Sequence, residues 1–256
     1  MSALRVGVAG AGGRMGQALL EAASATEGVV VGSAVDLTAG SWGPVAIGTD
    51  VSAAIAQCDV LIDFTRPAGT LEHVRACVAA KKAIVIGTTG FSAAQVEEIR
   101  RAAATIPVVM APNMSVGVNV MLRLVELGSR ALGPDYDVEV FEMHHRKKVD
   151  APSGTALRLG EVAATARGSK LDDSAVYDRH GTTGERQAGT LGFSVARGGD
   201  VVGDHTVFFA GTGERIEITH RSNSRATYAQ GAMRAARFLA GKPAGLYDMQ
   251  DVLGLK

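Results

Sequence analysis

The chain has 256 residues, and its 26 Lys and Arg are balanced by 26 Asp and Glu, so the formal net charge is zero. This length allows one or two domains with buried cores, and a neutral chain is a poor partner for nucleic acid or an anionic membrane. Cys58 and Cys77 are the two cysteines, which favours the reducing cytoplasm over a disulfide-stabilised secreted protein.

Apolar runs of strand length alternate with helical periodicity through the first half of the chain. An early break into glycine makes the first apolar run a strand rather than a signal peptide or a membrane span. The alternation predicts a doubly wound parallel sheet of the Rossmann-like α/β class. Strands are predicted at 4–9, 29–35, 60–64, 83–86 and 108–110, and helices at 15–24, 70–80 and 93–104.

The pattern changes after a predicted helix at 118–132. Strand-like segments then follow with few helices between them, which predicts a second α+β domain with a mixed or antiparallel sheet. A last helix, which Gly241 and Pro243 terminate, is expected to return to the first domain. The expected domains are 1–116 with 225–256, and 117–224. The later strands are predicted at 137–143, 190–196, 206–210 and 215–220, and the later helices at 155–166 and 227–240.

The segment "VAGAGGRMG" places Gly10, Gly13 and Gly16 between a predicted strand and a predicted helix. Backbone N–H groups and the positive end of a helix there bind a pyrophosphate, and Asp36, after the next strand, is placed to accept hydrogen bonds from a ribose. The spacing departs from GxGxxG because Met15 takes the place of the last glycine. An ordinary glycine-rich turn is the alternative.

The cofactor preference follows from a missing cation. No Lys or Arg occurs between Asp36 and Cys58, so a partner for the 2′-phosphate of NADPH is lacking and NADH is favoured. Arg14 and Arg66 lie in loops that also reach this region, which leaves NADPH open. The loops "IGTTG" at 86–90 and "APNMSVG" at 111–117 follow strands and are either nicotinamide contacts or simple connectors.

The segment "EMHHRKKVDAPSGTA" combines histidines, cations and a predicted helix start. Neighbouring residues on a strand face opposite sides, so His144 and His145 are expected to differ in role, and a metal site is disfavoured. The Ser-Gly-Thr step with the cations before it predicts a site for a small anion, with a histidine or lysine as proton donor. A capped helix preceded by a charged surface loop is the alternative.

A nicotinamide site combined with an acid and an anion site implies reduction, in which the cofactor gives hydride and the protein gives a proton. The chain resembles the dihydrodipicolinate reductase family from end to end. The motifs that carry the resemblance are "VAGAGGRMG", "DFTRPAGTLEH", "GTTGFS", "APNMSVGVN", "HHRKKVDAPSGTA" and "GLYDMQDVLGL". The resemblance implies NADH or NADPH as cofactor, a cyclic dicarboxylate imine as substrate, and a homotetramer built on the second domain.

The resemblance also implies roles for individual residues. His144 is the expected acid/base residue and Lys148 the second proton donor. The expected substrate contacts are His145, Ser153, Gly154 and Thr155. The expected cofactor contacts are Gly10, Ala11, Gly12, Gly13, Arg14, Met15, Asp36, Arg66, Gly87, Thr88, Thr89, Ala111, Pro112, Asn113 and Met114. The chain departs from the family at three places: Met114 replaces a frequent Phe, Leu37 replaces an Arg of some members, and Lys147 replaces a frequent His.

The sequence leaves two other functions open. An acylating semialdehyde dehydrogenase needs a thiolate nucleophile, whereas Cys58 and Cys77 lie in segments that are typical of buried structure. A non-catalytic nicotinamide sensor would need neither an acid residue nor an anion site. Arg179, His180 and His205 have no predicted role and are expected at the surface, in a loop-rich region at 170–204.

Overall fold

The chain folds into two compact units in a computed structural model that describes residues 3–256. Unit 1 contains the chain up to Val116 together with Arg225–Lys256, and unit 2 contains Gly117–Ser224. Unit 1 is therefore assembled from two stretches that lie far apart in the sequence.

Unit 1 is an α/β sandwich around an eight-stranded sheet. The strands are β1 (Leu4–Ala9), β2 (Val29–Val35), β3 (Gly40–Trp42), β4 (Val45–Gly48), β5 (Val60–Asp63), β6 (Ala83–Ile86) and β7 (Pro107–Met110), and β13 (Gly245–Tyr247) joins them from the end of the chain. The helices are α1 (Arg14–Ala25), α2 (Val51–Ala56), α3 (Pro67–Ala80) and α4 (Ala93–Ala103), with α8 (Ala226–Leu239) and α9 (Met249–Leu253) from the end of the chain.

The strand order is β13-β7-β6-β5-β1-β2-β4-β3, and every pair is parallel except β3 with β4. Strands β5 and β6 are buried along their whole length, as expected where helices cover both faces of a parallel sheet. One face packs on α1 and α8, and the other on α2, α3 and α4. The doubly wound α/β prediction is confirmed.

Unit 2 contains a five-stranded sheet with the order β12-β11-β8-β10-β9. Strand β8 pairs parallel with β10 and antiparallel with β11, so the sheet is mixed, as predicted. Alternate residues of β8 are buried, and α5 and α6 supply apolar side chains to the same core. The elements are α5 (Val116–Leu132), a 3₁₀ turn (Gly133–Asp135), β8 (Asp137–His144), α6 (Gly154–Ala166), α7 (Leu171–Ser174), β9 (Ala175–Val176), β10 (Leu191–Arg197), β11 (Gly203–Ala210) and β12 (Arg215–Ser222).

Candidate active site

Five segments that the sequence analysis singled out lie at one edge of the unit 1 sheet. Parallel strands end at the same edge, and the loops beyond their carboxyl ends form the ligand site of open α/β sheets. The glycine loop follows β1, Asp36 follows β2 and Arg66 follows β5, while Gly87 and Ala111 open the loops after β6 and β7. The fold therefore gathers the predicted cofactor contacts along a single edge.

The glycine loop has the backbone geometry of a dinucleotide cradle. Gly10 has a φ of +68°, in the left-handed region, and a Cβ on Gly16 would lie 2.1 Å from the carbonyl oxygen of Gly10. The N–H of Gly12 donates to Oδ2 of Asp36 at 2.8 Å. Helix α1 has no side-chain cap at Gly13, so backbone N–H groups form its positive end. This arrangement fits a dinucleotide pyrophosphate.

Some predicted cofactor residues are exposed at this edge and others are not. Arg14, Arg66 and Thr89 are exposed, whereas Ala11 and Met114 are buried in the core. A contact from a buried residue would have to come from its backbone. Of the remaining predicted contacts, Gly12, Gly13 and Pro112 are exposed, Ala111 and Thr88 are buried, and Gly10, Met15, Asp36, Gly87 and Asn113 are half-buried.

In unit 2, a buried glutamate holds one nitrogen of His144. Glu142 and His144 lie two residues apart on β8, so both side chains face the same way, and both are buried. Nδ1 of His144 lies 2.6 Å from Oε2 of Glu142. Because a carboxylate only accepts hydrogen bonds, the proton sits on Nδ1, and Nε2 is the nitrogen that Glu142 does not engage. A Cβ on Gly203 would lie 2.9 Å from that Nε2, so this glycine keeps the space beside it open.

Glu142 is also the acceptor for two other groups. Arg197 donates to both carboxylate oxygens at 2.8 and 2.9 Å, and the N–H of Ser153 donates to Oε1 at 2.9 Å. Burial alone would raise the pKa of Glu142, but the bonds from Arg197, His144 and Ser153 outweigh it and hold the pKa below its ordinary value. Glu142 therefore stays charged and fixes the orientation of His144.

Burial and charged neighbours together shift the pKa of His144. Burial lowers its pKa, the Glu142 carboxylate opposes that shift, and the cations Lys148 and Arg197 add to it. Nζ of Lys148 lies 2.9 Å from Oδ1 of Asp150, and 20% of the lysine side chain is exposed. Unit 2 thus brings the two predicted proton donors, His144 and Lys148, into one electrostatic environment.

His205 lies in the same cluster, and its predicted surface position is wrong. It is buried, with Nε2 3.0 Å from Oγ of Ser153 and its ring edge-on to the His144 ring at a centroid distance of 5.1 Å. Burial lowers its pKa to about 3, so the ring is neutral near pH 7. The prediction failed because β11 begins at Gly203, three residues before the strand predicted at 206–210, so that His205 was assigned to the preceding loop.

The predicted anion site lies at the start of α6. Ser153 caps this helix by accepting from the N–H of Ala156 at 3.2 Å, and the helix begins at Gly154. The groups of Ser153 are thus engaged within the protein, and its direct contact with substrate stays a prediction. Gly154 is exposed and Thr155 is half-buried in the first turn, where backbone N–H groups favour an anion. Nδ1 of His145 is buried without a hydrogen-bond partner among the described residues.

Sequence reasoning missed Glu142 and Arg197, which hold His144 in place. One signal was present. The buried positions of β8 alternate as Val138, Val140, Glu142 and His144, and an acidic residue that continues an apolar period-two pattern indicates a buried charge with a partner.

Residues 3–256 contain no cluster of three or more His, Cys, Asp or Glu residues that could hold a metal ion. Within the same range, no helix is both long and apolar enough to span a bilayer.

Models of one family match both parts of the chain. The family described as dihydrodipicolinate reductase, N-terminus, matches residues 4–114, and dihydrodipicolinate reductase, C-terminus, matches residues 117–253. A 4-hydroxy-tetrahydrodipicolinate reductase of Aromatoleum aromaticum is 58% identical over 268 aligned residues, which cover 100% of this chain and 97% of the relative. The enzyme of the same name from Bordetella pertussis is 58% identical over 262 residues, covering 98% of this chain and 97% of the relative.

A solved structure supports the fold. It is a dipicolinate-bound dihydrodipicolinate reductase from Paenisporosarcina sp. TG-14, which superimposes with a TM-score of 0.78 over 97% of this chain and 98% of that chain. The sequences are 24% identical, so this comparison carries the architecture alone.

Proposed function

The chain belongs to the dihydrodipicolinate reductase family, and from that membership we propose that it reduces 4-hydroxy-tetrahydrodipicolinate to tetrahydrodipicolinate in the diaminopimelate route to lysine. The enzyme is an oxidoreductase of the pyridine-nucleotide-dependent class. The observation that carries the proposed chemistry is the Glu142–His144 pair, 2.6 Å apart, beside Lys148 and the start of α6.

The residues in unit 2 bind the substrate and supply the proton. The start of α6, with His145, Gly154 and Thr155, binds the carboxylates of the ring. Loss of water would give a conjugated ring, and the dihydronicotinamide, when bound, would be the source of the hydride that reduces C4. His144 then gives a proton from Nε2 to the neighbouring ring carbon, and Lys148 acts as second donor or balances the charge of a carboxylate. Glu142 keeps Nδ1 protonated throughout, so the transferred proton leaves from Nε2.

The carboxyl edge of the unit 1 sheet is the proposed cofactor site. Backbone N–H groups of the glycine loop and the start of α1 would hold the pyrophosphate, and Asp36 would accept from the adenosine ribose. Gly87–Thr89 and Ala111–Met114 would receive the nicotinamide end. The support for this assignment is the backbone geometry at Gly10 and Gly16 and the position of all these segments at one edge.

The direct test of the function is the oxidation of NADH on addition of freshly prepared substrate. We expect the absorbance of NADH to fall only when protein and substrate are both present, and kcat/KM to be higher with NADH than with NADPH. A nicotinamide sensor would bind NADH but leave its absorbance constant. An acylating dehydrogenase would require a reactive thiol, and burial raises the pKa of both Cys58 and Cys77, which disfavours it.

The cofactor preference is tested at Leu37. Its side chain is 97% exposed beside Asp36, and residues 37–57 contain no Lys or Arg. Leu37→Arg places a guanidinium where it can pair with the 2′-phosphate of NADPH. We expect kcat/KM for NADPH to rise by about tenfold or more, the effect of one charge-assisted hydrogen bond, with little change for NADH. The uncharged control Leu37→Gln should leave the ratio unchanged, and equal gains in both variants would contradict the argument.

We also propose assembly into a homotetramer through unit 2 and a location in the cytoplasm. The support for the first is the resemblance to the family. The support for the second is that both cysteines are buried and free, as in proteins of reducing compartments.

A further inference from the structure

A buried polar cluster lies behind the proposed cofactor edge of unit 1. Asp63, at the carboxyl end of β5, is fully buried, and Oδ2 of its side chain lies 2.6 Å from Nδ1 of His73 on α3. Oδ1 accepts from the N–H and the hydroxyl of Thr65, both at 2.7 Å. These bonds tie the end of β5 to the first two turns of α3.

The same cluster reaches the loop that follows β6. The hydroxyl of Thr70 donates to Oγ1 of Thr88 at 2.9 Å, and the hydroxyl of Thr88 lies 3.3 Å from Oδ1 of Asp63. The backbone carbonyl of Asp63 also accepts from the N–H of Gly87 at 2.8 Å. Asp63 therefore holds the Gly87–Thr88 step at two points, one on the backbone and one on the side chain.

Packing restricts the loop on another side. A Cβ on Gly87 would lie 2.2 Å from the ring of Phe64, so the backbone at Gly87 lies directly against that ring. Thr88 is buried whereas Thr89 is exposed. The side chain of Thr88 therefore points inward to the cluster and that of Thr89 points outward. The hydrogen bonds of Thr88 fix the position of the exposed side of the loop.

Stability alone does not explain such a cluster. A buried carboxylate is costly to desolvate, and buried ion pairs often add little to the free energy of unfolding compared with apolar packing. The hydrogen bonds join three segments at the carboxyl ends of β5 and β6, where ligands of open α/β sheets bind. Their common effect is to fix the position of the loop at Gly87–Thr89.

We propose that Asp63, His73 and Thr70 are positioning residues that hold the Gly87–Thr89 loop in the arrangement that receives the nicotinamide end of the dinucleotide. This inference rests on the proposed cofactor site and adds residues that do not contact the cofactor. The inference treats the two ends of the dinucleotide separately. Binding of the pyrophosphate end would rely on the glycine loop, whereas binding of the nicotinamide end would also rely on the cluster.

The test compares two ligands on the protein without substrate. NADH carries the nicotinamide, and ADP-ribose carries the same adenosine, pyrophosphate and second ribose without it. Thr70→Val removes the hydroxyl that holds Thr88 and keeps the side-chain shape. We expect the Kd of NADH, from fluorescence titration, to rise about tenfold, as for the loss of one well-placed hydrogen bond. The Kd of ADP-ribose, from calorimetry, should change by less than about twofold.

Two controls separate positioning from general destabilisation. Thr70→Ser restores the hydroxyl and should recover most of the NADH affinity. Thr26→Val makes the same chemical change at the opposite edge of the sheet, where Oγ1 of Thr26 donates to the carbonyl of Ala22, and should leave both affinities unchanged. Asp63→Asn should produce a larger loss for NADH than Thr70→Val, and Thr70→Val decides the question if the asparagine variant does not fold.

Three results would overturn the inference. Parallel weakening of NADH and ADP-ribose by Thr70→Val, with a lower Tm, would make the cluster a structural element only. Unchanged NADH affinity in that variant would remove the link between cluster and loop. If the unmodified protein bound neither ligand, the proposed cofactor site would fail, and the inference with it.

Discussion

His144→Ala is expected to lower kcat/KM by about a hundredfold or more, the usual contribution of a general acid. The substitution removes the imidazole whose Nδ1 is fixed by Glu142 and whose Nε2 is left for the substrate. NADH affinity should be unchanged, because the proposed cofactor residues lie in unit 1. Steady-state kinetics and a fluorescence titration of NADH make the two measurements, and His180→Ala, an exposed histidine of unit 2, is the matched control.

The pH dependence of kcat/KM identifies the donor. The pKa of His144 in the free protein lies below its ordinary value because of burial, so its protonated form is present below that pKa and is lost as pH rises. If His144 gives the proton, kcat/KM falls as pH rises through that pKa. The same fall of kcat/KM with pH should be seen in Lys148→Ala. Lys148→Ala should itself cost about a hundredfold. Near-normal rates in both variants would exclude the proposed assignment.

Glu142→Leu is expected to destabilise unit 2 by about 3–5 kcal/mol, the usual effect of removing one partner of a buried ion pair. Glu142 is fully buried and accepts bonds from Arg197, His144 and the N–H of Ser153, so its loss leaves a cation and two donors without their acceptor. Urea unfolding measures the effect. Glu161→Leu, which removes an exposed pair with Arg158, should cost less than about 1 kcal/mol.

The sign of the pH effect provides a second check on Glu142. Its folded-state pKa lies below the ordinary value of 4.5, so its contribution to stability is present above pH 4.5 and is lost as pH falls through the lowered pKa. The stability difference between the unmodified protein and Glu142→Leu should therefore shrink in acid. A difference that is constant with pH would mean that folding does not lower the pKa of Glu142.

Much of the fold could be predicted because long elements carry their own pattern. The predicted helix at 93–104 ends within one residue of α4 (Ala93–Ala103), since the period of its apolar residues and its Ser92 cap are local features. The hairpin β3–β4, the strand β13 and the helix α9 were not predicted. They have three to five residues each, which is too short for a period to be visible.

The site was harder to predict because its support comes from distant residues. His144 and Lys148 are predicted from a local motif, but Arg197 lies 55 residues from Glu142 in the sequence and His205 lies 52 residues from Ser153. Only the pairing of β8 with β10 and β11 brings these side chains together. A resemblance to a family supplies contact residues more readily than the buried partners that orient them.

The division of unit 1 into two stretches of chain sets an order of events during synthesis. Strand β7 obtains a neighbour on its outer side only when β13 pairs with it, and α8 supplies Ala232, Met233 and Leu239 to the core on one face of the sheet. A nascent chain that has emerged only as far as Val116 lacks both elements. Domains fold as units when their segments become available. Unit 2 can therefore fold before unit 1, because unit 1 is complete only after the stretch that follows unit 2 has been synthesised.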